Sequence, residues 1–159
     1  MGNEYKNMIL IKNNQKRISV DVKKIGKKAK TLLAFLEYKD FDLGILLTTN
    51  ATIKKYNKQY RKKDKATDIL SFPYHTELKA GQKIQVKSPE DKNLGDIIIS
   101  VEFVNKGAQA EGRSLPEHLK ILLAHGIAHL LGYDHETDKD FVIMNKLERK
   151  LLKIIGSKN

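Results

Sequence analysis

The spacing of hydrophobic positions changes several times along the chain, and each change marks an element. Met8 to Ile11 is a short apolar run, read as a strand, closed by the polar turn Asn13-Asn14-Gln15-Lys16. From about Val20 to Tyr38 the residues Val22, Ile25, Ala29, Leu32, Leu33 and Leu36 recur at steps of three and four, which predicts an amphipathic helix with a lysine-rich outer face. Phe41 to Thr48 reads as a second strand, and Asn50 is placed to cap a helix from Ala51 to about Arg61. In that helix Ile53, Tyr56 and Tyr60 form a stripe read as core-facing, with the lysines turned to water. Thr67 to Phe72 predicts a third strand, with Pro73 at its end or on an edge.

The second half follows the same logic. Tyr74 to Asn93, with Gly81, Pro89 and a brief Ile84–Val86 alternation, reads as a long hairpin excursion. Asp96 to Ser100 is a continuous apolar strand of the kind buried on both faces, and Ser100 is placed to cap a helix through Val104 and Ala108 towards Gly112. Ser114-Leu115-Pro116-Glu117 has capping-box spacing and opens a helix whose Leu119, Leu122, Leu123 and Leu130 are core material. Thr137 and Asp140 start a last helix built on Phe141, Met144, Leu147, Leu151 and Ile154. No repeat, low-complexity tract or linker interrupts the 159 residues, so residues 1–159 are expected to form a single domain.

Composition narrows the chemistry. There are no cysteines, which excludes disulfides and thiolate metal ligands, so any metal must rest on histidine and carboxylate. Thirty basic residues against 19 acidic ones give a formal net charge of +11, an excess that favours polyanionic partners, nucleic acid above all. No stretch has the length of a membrane span or the form of a signal peptide. Met1-Gly2 opens like an N-myristoylation site, but Lys6 stands where serine or threonine is required. A cytoplasmic protein is expected.

Three of the five histidines fall in His125-Gly126-Ile127-Ala128-His129-Leu130-Leu131-Gly132-Tyr133-Asp134-His135. A four-residue step is just over one helical turn, so His125 and His129 project from one face, roughly 6 Å apart along the axis. Gly132 can take the left-handed conformation that ends a helix, and a reversal there brings His135 round to the other two rings. Three imidazoles without a fourth protein ligand describe a zinc site that keeps a position open for water, the pattern of a catalytic metal, one per chain. Zinc peptidases carry glutamate directly after the first histidine, whereas this chain has Gly126, which excludes that mechanism. His118 lies about 10 Å from His125 along the axis, too far to share the metal. Asp134 or Asp68 is placed to orient a ligand imidazole through its second nitrogen, or equally to take a helix-end or turn hydrogen bond.

The histidine stretch resembles the signature of the YbeY family of bacterial metal-dependent endoribonucleases. Asn57-x-x-Tyr60-Arg61-x-x-Asp64-Lys65-x-Thr67-Asp68-Ile69-Leu70-Ser71-Phe72-Pro73 resembles that family's second motif, and Gly95-Asp96-Ile97 its third. The resemblance implies an α/β (α+β) fold, a small mixed sheet packed with about five helices, the metal helix bordering a cleft. It implies that His125, His129 and His135 hold zinc and that Arg61 matches an arginine the family needs for activity. It further implies cleavage of single-stranded RNA in maturation of the 3′ end of small-subunit rRNA, and a part in ribosome quality control. Ribosomal small subunits or their proteins are thus expected partners, with Arg61, Lys62 and Lys63 on the RNA and the protein itself a monomer. Two rival readings remain: a non-enzymatic RNA-binding or ribosome-assembly factor stabilised by zinc, and a metallohydrolase acting on another substrate class.

Overall fold

A computed structural model describes residues 8–156; the Met1-Gly2 and Lys6 positions lie outside them. Four strands, β1 (Ile9–Asn13), β2 (Asp42–Thr48), β3 (Ile69–Pro73) and β4 (Asn93–Ser100), form one sheet in the order β1-β2-β4-β3. The β1/β2 and β2/β4 pairs are parallel and β3/β4 is antiparallel, so the sheet is mixed and β3 is an edge strand. Pro73 closes β3, where a residue without an N–H costs the ladder little. Five helices accompany the sheet: α1 (Val22–Phe35), α2 (Asn50–Arg61), α3 (Val101–Ala110), α4 (Leu115–Leu130) and α5 (Asp138–Ile154).

Why β4 reads as unbroken apolar sequence is visible in its packing. Ile97 and Ile99 join Leu43, Ile45 and Leu47 on the face covered by α1, α3, α4 and α5, where Leu32, Leu33, Val101, Leu123, Ile127, Leu130 and Leu151 complete the main core. Ile98 points the other way, into a smaller cluster with Leu70 and Ile53 of α2. A strand buried on both faces has no polar side to show. The Tyr74–Asn93 segment connects antiparallel neighbours, as a hairpin excursion must, and its regular structure is a single 3-10 turn at Pro89–Asp91. No strand forms at Ile84–Val86.

Three local expectations are corrected. The cap of α2 is Thr49, whose side chain accepts from the Thr52 N–H, not Asn50. Asn50 instead accepts a 2.7 Å hydrogen bond from the buried Ser100 hydroxyl, tying α2 to the cap of α3. On α2, Ile53 is fully buried and Tyr56 half-buried, but Tyr60 is 58% exposed; its ring stacks on Tyr56 and meets the edge of Phe72. On α5, Met144 and Leu151 are core, whereas Phe141 is exposed at the helix start. No helix among the described residues is long and apolar enough to cross a membrane.

Candidate metal centre

Helix α4 is the platform of the site. Ser114 caps it by accepting from the Glu117 N–H, Pro116 sits in its first turn, and Leu119, Leu122, Leu123, Ile127 and Leu130 fix it against the core. At its other end the Tyr133 N–H bonds the Ala128 carbonyl and the Gly132 N–H bonds the His129 carbonyl, the paired bonds of a Schellman stop. Gly132 has φ +89°, and a Cβ there would lie 2.3 Å from the Leu78 carbonyl oxygen. The long excursion therefore packs directly on the turn that carries the chain from His129 to His135.

That turn brings the third histidine in. Ligand nitrogens of His125, His129 and His135 all lie within 4.8 Å of one another, and among the described residues no fourth histidine, aspartate or glutamate joins them. His118 stays outside the group. Gly126, where a peptidase would carry its base, is buried against the sheet: a Cβ there would come within 2.9 Å of Ile97 Cδ1 and 3.0 Å of Ile69 Cδ1. A side chain at this position would have to displace the ends of two isoleucines on β4 and β3.

The hydrogen bonds on the far sides of the rings decide what the triad can hold. His129 Nδ1 is 2.9 Å from the Tyr133 carbonyl oxygen, and His125 Nδ1 is 3.2 Å from Glu148 Oε2. A carbonyl and a carboxylate accept only, so each Nδ1 carries a proton, and either ring in its neutral form presents a bare Nε2 to the other. Those two Nε2 atoms are 3.0 Å apart. Facing lone pairs at that distance repel unless a positive charge lies between them. Burial pushes the His129 imidazole down to about 4, the neighbouring His125 adds to the effect, and the hydrogen bond to Tyr133 opposes it. A ring that resists protonation keeps its lone pair for a metal at neutral pH. Three nitrogen donors, two of them with an oriented second nitrogen, fit a divalent ion.

Glu148 is the residue missed by sequence reasoning. Asp134 and Asp68 do not orient a ligand: Asp134 accepts from the Glu136 N–H, and Asp68 from the Ile69 N–H and the Thr67 hydroxyl. The signal for Glu148 was present but faint. It stands four residues after Met144 and three before Leu151, a carboxylate on the inward stripe of α5.

The triad opens onto a cleft of about 860 Å³ lined by α4, the whole of β3, the end of α2 and Glu148. Arg61 and Tyr60 stand on its rim, as do Asp68, Ser71, Asp134 and Glu136. Arg61 is the last residue of α2; the helix stops there because Lys62 turns left-handed at φ +61°. Buried Asn57 holds the following loop through a 2.9 Å bond from its Nδ2 to the Lys65 carbonyl. Lys62 and Lys63 are exposed and do not line the cleft. The structure thus brings Arg61 to the three histidines and leaves the two lysines outside.

Residues 10–156 match the family model described as Endoribonuclease YbeY. A protein of that name from Caldicellulosiruptor bescii is 35% identical over 154 residues, covering 93% of this chain and 97% of its own length. The human protein of the same name is 34% identical, covering 93% of this chain and 88% of its own, and that of Aquifex aeolicus is 42% identical over 82% and 79%. A solution structure of a Thermotoga maritima protein shares the fold, with a TM-score of 0.56 and 24% identity over 91% of this chain and 89% of that one.

Proposed function

The chain belongs to the YbeY endoribonuclease family, and from that membership we propose that it is a metal-dependent endoribonuclease hydrolysing phosphodiester bonds of single-stranded RNA. The observation that carries the reading is the convergence of His125, His129, His135 and Arg61 on one cleft. Three imidazoles without thiolate suit zinc, one ion per chain. When bound, the ion supplies Lewis acidity, which makes water nucleophilic near neutral pH and polarises a phosphoryl oxygen.

The chain's own residues have separate tasks in this reading. The three histidines hold the ion, and the Tyr133 carbonyl keeps His129 facing it. Arg61 places its planar guanidinium against the phosphate and stabilises the charge that grows there during displacement. Tyr60, 58% exposed and lining the cleft next to Arg61, is available for contact with an unpaired base, which a base inside a duplex does not offer. Lys62 and Lys63 attract the flanking backbone without entering the cleft. Family membership supports the finer assignment: a monomeric cytoplasmic enzyme maturing the 3′ end of small-subunit rRNA, working with the small ribosomal subunit in its quality control.

Cleavage of a defined single-stranded RNA by purified wild type and His129→Ala, with metal content assayed in both, tests the reading. Activity lost together with the metal is the expected result. Equal cleavage by wild type and by a metal-free His129→Ala protein, each purified free of contaminating nuclease, would sink the assignment. A zinc-loaded wild type that binds RNA but leaves it intact, alone and with small subunits, would establish a binding factor instead.

A further inference from the structure

We infer that Glu148 is a positioning residue of the metal site: by accepting the Nδ1–H of His125 it fixes that ring in the tautomer whose Nε2 is free, so the triad is ready for a cation before one arrives. The inference rests on the histidines being a metal site, but not on RNA being the substrate.

The argument is one of available protons. A neutral imidazole has a single N–H. His129 spends its own on the Tyr133 carbonyl, 2.9 Å away, and since that acceptor is backbone the neutral ring keeps its Nε2 bare. His125 has two choices. It can place its proton on Nδ1, towards Glu148 Oε2 at 3.2 Å, or on Nε2, towards the bare His129 Nε2 at 3.0 Å. The second choice joins the two ligands by a hydrogen bond and closes the site; a metal would first have to displace that proton. Glu148 is the group that tips the balance to the first.

Its surroundings suit the task. The side chains of His125 and Glu148 are 25% and 21% exposed, so water competes weakly for the bond. Glu148 comes from α5, 23 residues further along the chain, and α5 is packed on α4, so the carboxylate is held by the core and not by a flexible loop. The negative charge also makes the ligand ring a better donor, which acts in the same direction.

Zinc affinity, measured by competition with a chromogenic chelator, and the His125 tautomer, read from its ring-nitrogen resonances in the zinc-free protein, test this together. In the wild type the proton should be found on Nδ1. Glu148→Ala, or Glu148→Met of similar length should the alanine variant not fold, should move it to Nε2 and weaken zinc binding about 10- to 100-fold. Glu148→Gln, whose side-chain carbonyl still accepts, should keep the tautomer and most of the affinity. Wild-type affinity in the alanine or methionine variant, or an unmoved tautomer, would overturn the role. Neither readout involves RNA, so an inactive nuclease leaves the inference standing. A wild type that binds no zinc would instead remove the metal-site reading beneath both.

Discussion

Gly132→Ala should destabilise the protein well beyond the ordinary cost of filling a left-handed position. The backbone there has φ +89°, which costs an alanine about 1–2 kcal/mol. The new Cβ would also stand 2.3 Å from the Leu78 carbonyl oxygen and 2.8 Å from its carbon. Both are backbone atoms, so no rotamer change relieves the overlap and the Leu78-Lys79 segment must move, at about 1–3 kcal/mol for overpacking of this kind. The sum, about 2–5 kcal/mol, corresponds to a fall in Tm of order 10 °C for a chain of this length. Gly81→Ala is the matched control: its φ of +86° is nearly the same, yet nothing lies within 4 Å of the added Cβ. Urea denaturation of the two metal-free variants should separate them by the clash alone. Equal losses of stability would refute the contact between the excursion and the turn. Because Gly132 lies between His129 and His135, its replacement should weaken metal binding too, and that of Gly81 should not.

Arg61→Ala should keep its metal and lose about 10²- to 10³-fold in turnover, as removal of a donor to developing charge does; Arg61→Lys should recover little, having lost the planar fork. Unchanged turnover would take Arg61 out of the mechanism. In the zinc-free protein the His129 ring should titrate near pH 4, and an NMR midpoint above 6 would contradict its burial. The sign of the linked stability follows. Between the ordinary value of 6.5 and about 4 the unfolded chain binds the proton and the folded one does not, so the metal-free fold weakens as pH falls through that window, with no contribution above it.

The parts of the site that were legible in the sequence are the local ones. The four-residue step from His125 to His129, the stop at Gly132 and the return of His135 all follow from helix geometry and one positive φ. Ser100, Ser114 and Thr137 were recognisable as caps because a cap bonds an N–H three residues on. Tyr60 and Phe141 were misjudged for the opposite reason: period alone says which side a residue is on, not how far the neighbouring element reaches to cover it. The same holds at α2, where Thr49 and Asn50 are both good caps and the partner waiting on Ser100 decided which one did the capping.

By itself, then, the chain's order determined the succession of strands and helices, the single helix that carries His125 and His129, and the chemistry three imidazoles can support. Tertiary packing decided the rest. It placed Glu148 of α5 behind His125, Arg61 of α2 across the cleft, and Leu78 against Gly132, and it turned Gly126 from a missing base into a contact with Ile97 and Ile69. Such contacts join residues tens of positions apart, and no periodicity records them. They depend on how closely two elements can approach once their side chains are in place, a property of the assembled core and of no one segment.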